Sequence, residues 1–298
     1  VFKSPYKIRR ISMKKRGFTL AEVLITLGIV GVVAALTAPA LVMSSRNEAN
    51  AARLSVVVSN LENAFQTAIA QEGADNLYGT SLWDFGGNTK LTADCGTKDK
   101  PASDEEKEKN KGTIAQFVGR LGQYMIINGY VDSDDKYYGS IPVHPMSESG
   151  GTGTTSIIND SRFWGNGQMF ALETKNGAAI FMRAYRRTDL AEKKQEAIAA
   201  GSSYYTNAAD IVIDVNGKNA PNTFGRDIFW FQLGENGVMY PYGGADTNRV
   251  DSDSKHGTWD STTNVVASCS DDFKGSDATK RGIGCAARVI ADGYKINY

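Results

Sequence analysis

The sequence predicts an α+β chain in which one long N-terminal helix, membrane-spanning over its first half, packs on an antiparallel β-sheet. Three observations carry this. From Phe18 to Met43 the only charged side chain is Glu22, and about 20 consecutive apolar residues suffice for a helix to cross a bilayer. Beyond Met43, Leu54, Val57, Val58, Leu61, Phe65, Ala68 and Ile69 follow the i, i+3, i+4, i+7 spacing of one helix face. From Phe163 onward, short apolar runs are punctuated by Asn-Gly pairs, the pattern of β-hairpins.

Residues 1–17 hold seven Lys or Arg and no acid. A basic cluster before an apolar span predicts a cytoplasmic N-terminus and an exported C-terminal domain. A secretory signal would have an apolar core of roughly 7–15 residues and a small-x-small cleavage site. Ala38-Pro39-Ala40 offers that site, but the apolar run is too long and Glu22 sits inside it. A plain signal-anchor helix needs only length and flanking positive charge. The carboxylate needs a partner, because a charge in a span costs roughly 2.5–3.5 kcal/mol on insertion scales. Gly28 and Gly31 permit close helix approach, and Pro39 removes one backbone hydrogen bond and is expected to kink the helix. Glu72-Gly73 is the expected stop.

The stretch Lys14-Lys15-Arg16-Gly17-Phe18-Thr19-Leu20-Ala21-Glu22-Val23-Leu24 resembles the leader and cleavage site of type IV prepilins and type II secretion pseudopilins. That resemblance implies a pilin-like fold and cleavage between Gly17 and Phe18 by the prepilin peptidase, which also methylates the new amine of Phe18. Glu22 matches the family's glutamate, which pairs with the amino-terminal charge of a neighbouring subunit during assembly, and Pro39 matches its proline. The partners implied are the prepilin peptidase/methyltransferase, other pilin or pseudopilin subunits, an inner-membrane platform protein with its assembly ATPase, and membrane lipid. The match covers Lys14 to about Met43; the helix to about Gln71 shares only the layout. Met13 is an alternative start, giving a short leader. The division expected is 1–17 cytoplasmic leader, 18–43 transmembrane and assembly helix, 44–72 amphipathic continuation and 73–298 exported globular domain.

The exported part contains all three cysteines of the sequence, Cys95, Cys269 and Cys285, in a compartment where disulfides persist. The residues leave the pairing open, since Cys95 can replace either partner. Cys269–Cys285 closes the shortest loop and resembles the C-terminal disulfide loop of many pilins. Without residues 1–17, the remaining 26 basic residues face 33 acidic ones, a net charge of −7. That argues against a broad nucleic-acid surface.

Asp104 to Lys109 reads as a solvated face or loop. Ile114, Phe117, Val118, Leu121, Tyr124 and Met125 have the spacing of a second helix reaching about Asn128. Gly150 to Thr155 is a loop without a phosphate-binding ending. Gln168–Thr174 and Ala178–Arg183 form a hairpin about Asn176-Gly177, Leu190–Ala200 a helical insertion, Ile211–Val215 a third strand and Ile228–Leu233 a fourth. Glu235-Asn236-Gly237 then turns into Val238–Tyr240, and the last eight residues read as a short edge strand.

Asp214-Val215-Asn216-Gly217 with Pro221, Asn222 and Asp227 has the oxygen donors of a calcium loop, and major pseudopilins bind calcium nearby. The twelve-residue loop with its closing glutamate is missing. Strand connections use the same residues for turn geometry, so the segment reads as a turn and no metal or cofactor is expected. His144 and His256 have no Cys or His at ligand spacing. No Gly-x-Ser-x-Gly elbow occurs, and nothing proposes an enzyme. Phe229-Trp230-Phe231 with Tyr240 and Tyr242 reads as sheet core rather than a stacking surface. The function expected is a structural filament subunit. Its rivals are a DNA-uptake pilin-like subunit using Arg183, Tyr185, Arg186 and Arg187, and, more distantly, a membrane-tethered enzyme.

Overall fold

The computed structural model describes residues 18–88, 90–91, 103–131, 169–186, 207–217, 219, 222–241, 269, 282 and 284–297. Val1–Ser45 and Arg46–Tyr298 are two compact units. In the first, helix α1 (Leu20–Glu72) begins, and every residue from Phe18 to Ser45 is exposed. Pro39 lies inside the helix.

In the second unit, the rest of α1 turns amphipathic and buries Ala51, Leu54, Val57, Val58, Leu61, Ala64, Phe65 and Ala68. The helix stops where Gly73 adopts φ +63°, a left-handed conformation that favours glycine. Glu72 accepts hydrogen bonds from Ser81 N–H (2.6 Å) and Ser81 Oγ (2.8 Å), so the helix end also holds the segment that follows.

Helix α2 (Asp104–Leu121) shows which of the two expected forms, solvated face or loop, Asp104–Lys109 takes: the charged run forms the first turns, with Asp104, Glu105, Glu106, Glu108 and Lys109 exposed. Ser103 Oγ accepts from Glu106 N–H while the Glu106 carboxylate accepts from Ser103 N–H, a capping box. Acids in the first turn also favour the helix dipole. The helix ends seven residues short of Asn128. Tyr124 and Met125 lie in the following turn, and strand β2 (Ile127–Val131) begins just short of Asn128, where the helix was expected to end. Its cross-strand pairing with β3 overrides the local periodicity.

The described strands form one antiparallel sheet: β1 (Lys90–Leu91), β2, β3 (Phe170–Thr174), β4 (Ala179–Tyr185), β5 (Asn207–Asp214), β6 (Ile228–Gly234) and β7 (Met239–Pro241). The order is β2-β3-β4-β5-β6-β7, with β1 also paired to β4. The molecule is therefore α+β, as expected. Asn176-Gly177 and Asn236-Gly237 make the turns, with Gly177 at φ +79° and Gly237 at φ +77°. A Cβ on Gly237 would lie 3.2 Å from Phe65 Cβ, so this turn sits directly against α1.

Alternation divides the sheet side chains. Ile180, Met182, Ala209, Ile211, Ile213, Phe229, Phe231 and Leu233 join the α1 residues in the main core. Phe65, Trp83, Phe85, Phe117 and Phe170 line this core as a series of edge-on or tilted rings 5.7–6.3 Å apart, a favourable aromatic geometry. On the other face, Phe181, Val212 and Trp230 are buried in one cross-strand row.

The C-terminus gives a second correction. Cys285–Ala291 is a helix, α3, and Tyr294 (φ +58°) follows in a turn rather than an edge strand. The expected features at Gly150–Thr155, Leu190–Ala200, His144, Tyr242 and His256 lie outside the described residues.

Candidate functional site

At the start of α1, Thr19 and Glu22 bind one another reciprocally. Glu22 Oε2 accepts from Thr19 N–H (2.8 Å) and from the Thr19 hydroxyl (3.0 Å), while Thr19 Oγ1 accepts from Glu22 N–H (3.2 Å). This is a capping box. Thr19-Leu20-Ala21-Glu22 is its Thr-x-x-Glu signal, so the sequence carried a cue to Thr19 that the family match did not use. The carboxylate is thus partly satisfied by its own helix end. Glu22 Oε1 has no hydrogen bond among the described residues. Farther along, the Thr26 and Thr37 hydroxyls donate to Glu22 O and Val33 O, each at 2.9 Å. Neither then needs a partner from outside the helix, which hydrocarbon could not supply. Phe18 is 86% exposed. Gly17 and the leader lie outside the described residues.

In the second unit, Arg183, Asp210 and Gln232 stand opposite one another on β4, β5 and β6. Asp210 accepts from Arg183 Nη2 (2.8 Å) and Tyr185 Oη (2.7 Å) on one oxygen and from Gln232 Nε2 (3.4 Å) on the other. Arg183 and Asp210 are mostly buried, at 14% and 6% side-chain exposure. Arg186 lies 3.4 Å from Asp84, and Arg187 is outside the described residues. The basic-aromatic cluster is therefore largely an internal ion-pair network.

The β5–β6 loop is built around Asp227. Its carboxylate accepts from Thr223 N–H (2.5 Å), Asn222 N–H (3.0 Å) and Asn216 Nδ2 (2.9 Å). Asp214 accepts from Asn216 N–H at 3.2 Å. With the Asn222 amide oriented to donate, it reaches Asn219 O at 3.1 Å and Asp214 Oδ2 at 3.2 Å. The loop's own amides thus occupy both carboxylates, which is the arrangement of a turn. Burial lifts Asp227 to about 6, against the pull of those N–H groups. Burial, and then the neighbouring Asp227 charge, raise Asp214 well above the ordinary carboxylate range. Among the described residues no three His, Cys, Asp or Glu converge as metal ligands.

Cys269 and Cys285 are disulfide-linked, 16 residues apart in sequence; Cys95 lies outside the described residues. Arg288 Nη1 donates to Cys269 O (3.1 Å). Gly225, at φ +80°, leaves the space that Cys285 fills, since a Cβ there would stand 2.6 Å from Cys285 Sγ. On α1, Asn50 Nδ2 donates to Arg226 O (3.1 Å) and Asn47 Nδ2 to Ile296 O (3.1 Å). The helix, the loop and the C-terminal segment are locked together in this way.

By length and composition the apolar start of α1 is long enough to cross a membrane, it bears one carboxylate in its first turn, and an α+β domain follows in the chain. Residues 12–38 match the model of the prokaryotic N-terminal methylation motif, so the protein bears the signature of type IV prepilins and pseudopilins. No curated protein and no solved structure matches it.

Proposed function

We propose that this protein is a structural subunit of a type IV pilus or a type II secretion pseudopilus. The prepilin peptidase cuts it between Gly17 and Phe18 and methylates Phe18, and the subunit then polymerises through α1. Before assembly it is a single-pass protein of the bacterial inner membrane, with a cytoplasmic N-terminus and an exported C-terminal domain. The platform protein and assembly ATPase extract it into the filament; the subunit itself is not an enzyme.

The observation that carries this reading is the position of Glu22: the one charged side chain in the exposed apolar stretch from Phe18 to Met43, in the first turn of α1. Cleavage creates an amine at Phe18, about one helical turn away. Pairing between subunits would offset the burial of both charges and fix axial register, a well-attested use of buried polar groups. The ion pairing of Arg183 with Asp210 favours a filament subunit over a DNA-binding one.

N-terminal mass spectrometry of the membrane fraction should find methylated Phe18 as the first residue. Glu22→Ala should be inserted and cleaved normally yet lose most filament formation at matched expression. An intact leader, or filaments of wild-type abundance from Glu22→Ala, would defeat the reading.

A further inference from the structure

Asn-Gly pairs occur among the described residues at Asn128, Asn176, Asn216 and Asn236. This dipeptide has an intrinsic reaction. The glycine nitrogen, with no side chain to shield it, gives up its proton and attacks the asparagine Cγ; a new bond joins that nitrogen to Cγ, the bond from Cγ to Nδ2 breaks, and the NH2 takes up a proton and leaves as ammonia, giving a succinimide. Water then opens the ring to aspartate or isoaspartate, with no oxidant, reductant or catalyst. In a folded protein the asparagine side chain must be free to swing onto that nitrogen, so an amide held elsewhere reacts slowly.

Three of the four amides are held. Asn128 Nδ2 donates to Thr174 O (3.5 Å) from within β2. Asn216 Nδ2 donates to Asp227 (2.9 Å). Asn236 is tied at both ends, accepting from Val238 N–H (3.1 Å) and donating to Tyr240 Oη (3.1 Å), and Gly237 beside it is packed on α1. Asn176 is exposed with no side-chain hydrogen bond among the described residues, and a Cβ on Gly177 would meet nothing within 4 Å. The turn bond from Gly177 N–H to Thr174 O (2.9 Å) must open first, but Gly237 N–H makes the equivalent bond to Gly234 O (3.0 Å). That requirement is common to both turns, so side-chain freedom separates them.

We propose that Asn176 is a site of spontaneous deamidation, a slow covalent mark on the β3–β4 turn of this protein. The isoaspartyl product adds a methylene to the backbone where the Gly177–Thr174 and Thr174–Ala178 hydrogen bonds set the hairpin register. Both products place a new carboxylate beside Lys175.

The test is to age the purified full-length protein in detergent at mildly alkaline pH and follow each Asn-Gly peptide by mass spectrometry, with enzymatic methylation to detect isoaspartate. The Asn176 peptide should convert several-fold faster than those of Asn128, Asn216 and Asn236. In urea the folded-state order should collapse to one set by neighbouring residues alone. An Asn176 peptide that stays amidated while another converts, equal rates in the folded protein, or an order unchanged by unfolding would each overturn the proposal.

Discussion

Asp227 gives the stability of this protein an acid-favouring component. Its folded pKa of about 6 stands above the roughly 3.9 of an aspartate in an unfolded polypeptide. The folded state therefore holds the proton more tightly, and the sign of the linkage follows. The contribution is fully present below about pH 4 and is lost as pH rises through about 6. A gap of about two pH units, at about 1.4 kcal/mol each, amounts to roughly 3 kcal/mol, and Asp214, raised for related reasons, acts in the same direction. Asp227→Asn should remove the share of this dependence that belongs to Asp227, leaving the share that burial gives Asp214. It should also cost about 1–3 kcal/mol above about pH 6, where a new NH2 would face donors that the ionised carboxylate accepts. The assay is urea unfolding of the full-length protein in detergent, followed by circular dichroism from about pH 4 to about pH 7.5, with and without a chelator. The chelator should leave the midpoint unchanged, since loop amides occupy the carboxylates. An Asp227→Asn midpoint with the wild-type pH dependence would refute the assignment to Asp227, and a midpoint that falls on chelation would refute the turn.

Thr19→Val should retain cleavage but weaken the first turn of α1 by about 0.5–2 kcal/mol; Thr19→Ser should restore it, read as protease sensitivity of the N-terminus in detergent. Cys269→Ser should lower unfolding stability by about 3 kcal/mol, the value for closing a loop of this length, and non-reducing peptide maps of the parent should show Cys269 joined to Cys285. Phe65→Ala should cost about 3–5 kcal/mol, because Phe65 is fully buried against Trp83; a loss under about 1 kcal/mol by the same unfolding assay would mean that α1 is not part of this core.

The long helix and the central hairpins were legible because their signals are local. Leu54 to Ile69 repeats a helix face, and Asn176-Gly177 and Asn236-Gly237 announce turns between apolar runs. The features misjudged or left open depend on partners distant in sequence or on a capping signal. Asp104 to Lys109 is solvated charge, as its composition says, but whether it was face or loop turned on Ser103 and Glu106, which stand at the spacing that starts a helix. The helix expected to reach about Asn128 stops at Leu121, and Ile127–Val131 pairs instead with Phe170–Thr174. Around Glu22, composition exposed the carboxylate but gave no view of the hydroxyl that holds it. Arg183 and Tyr185 looked like a basic-aromatic patch because Asp210 is 25–27 residues away in sequence.

The bonds from Asn47 and Asn50 set an order of events during synthesis. Asn47 meets Ile296 across a separation of 249 residues, so one of the first polar side chains past the apolar segment is satisfied by a residue translated long after it. Closing so long a loop is slow and entropically costly before its contact is gained. A nascent polypeptide can seat its apolar segment early, but the outer helix lacks this acceptor until Ile296 has been made. A product shortened before Ile296 would leave Asn47 without that acceptor.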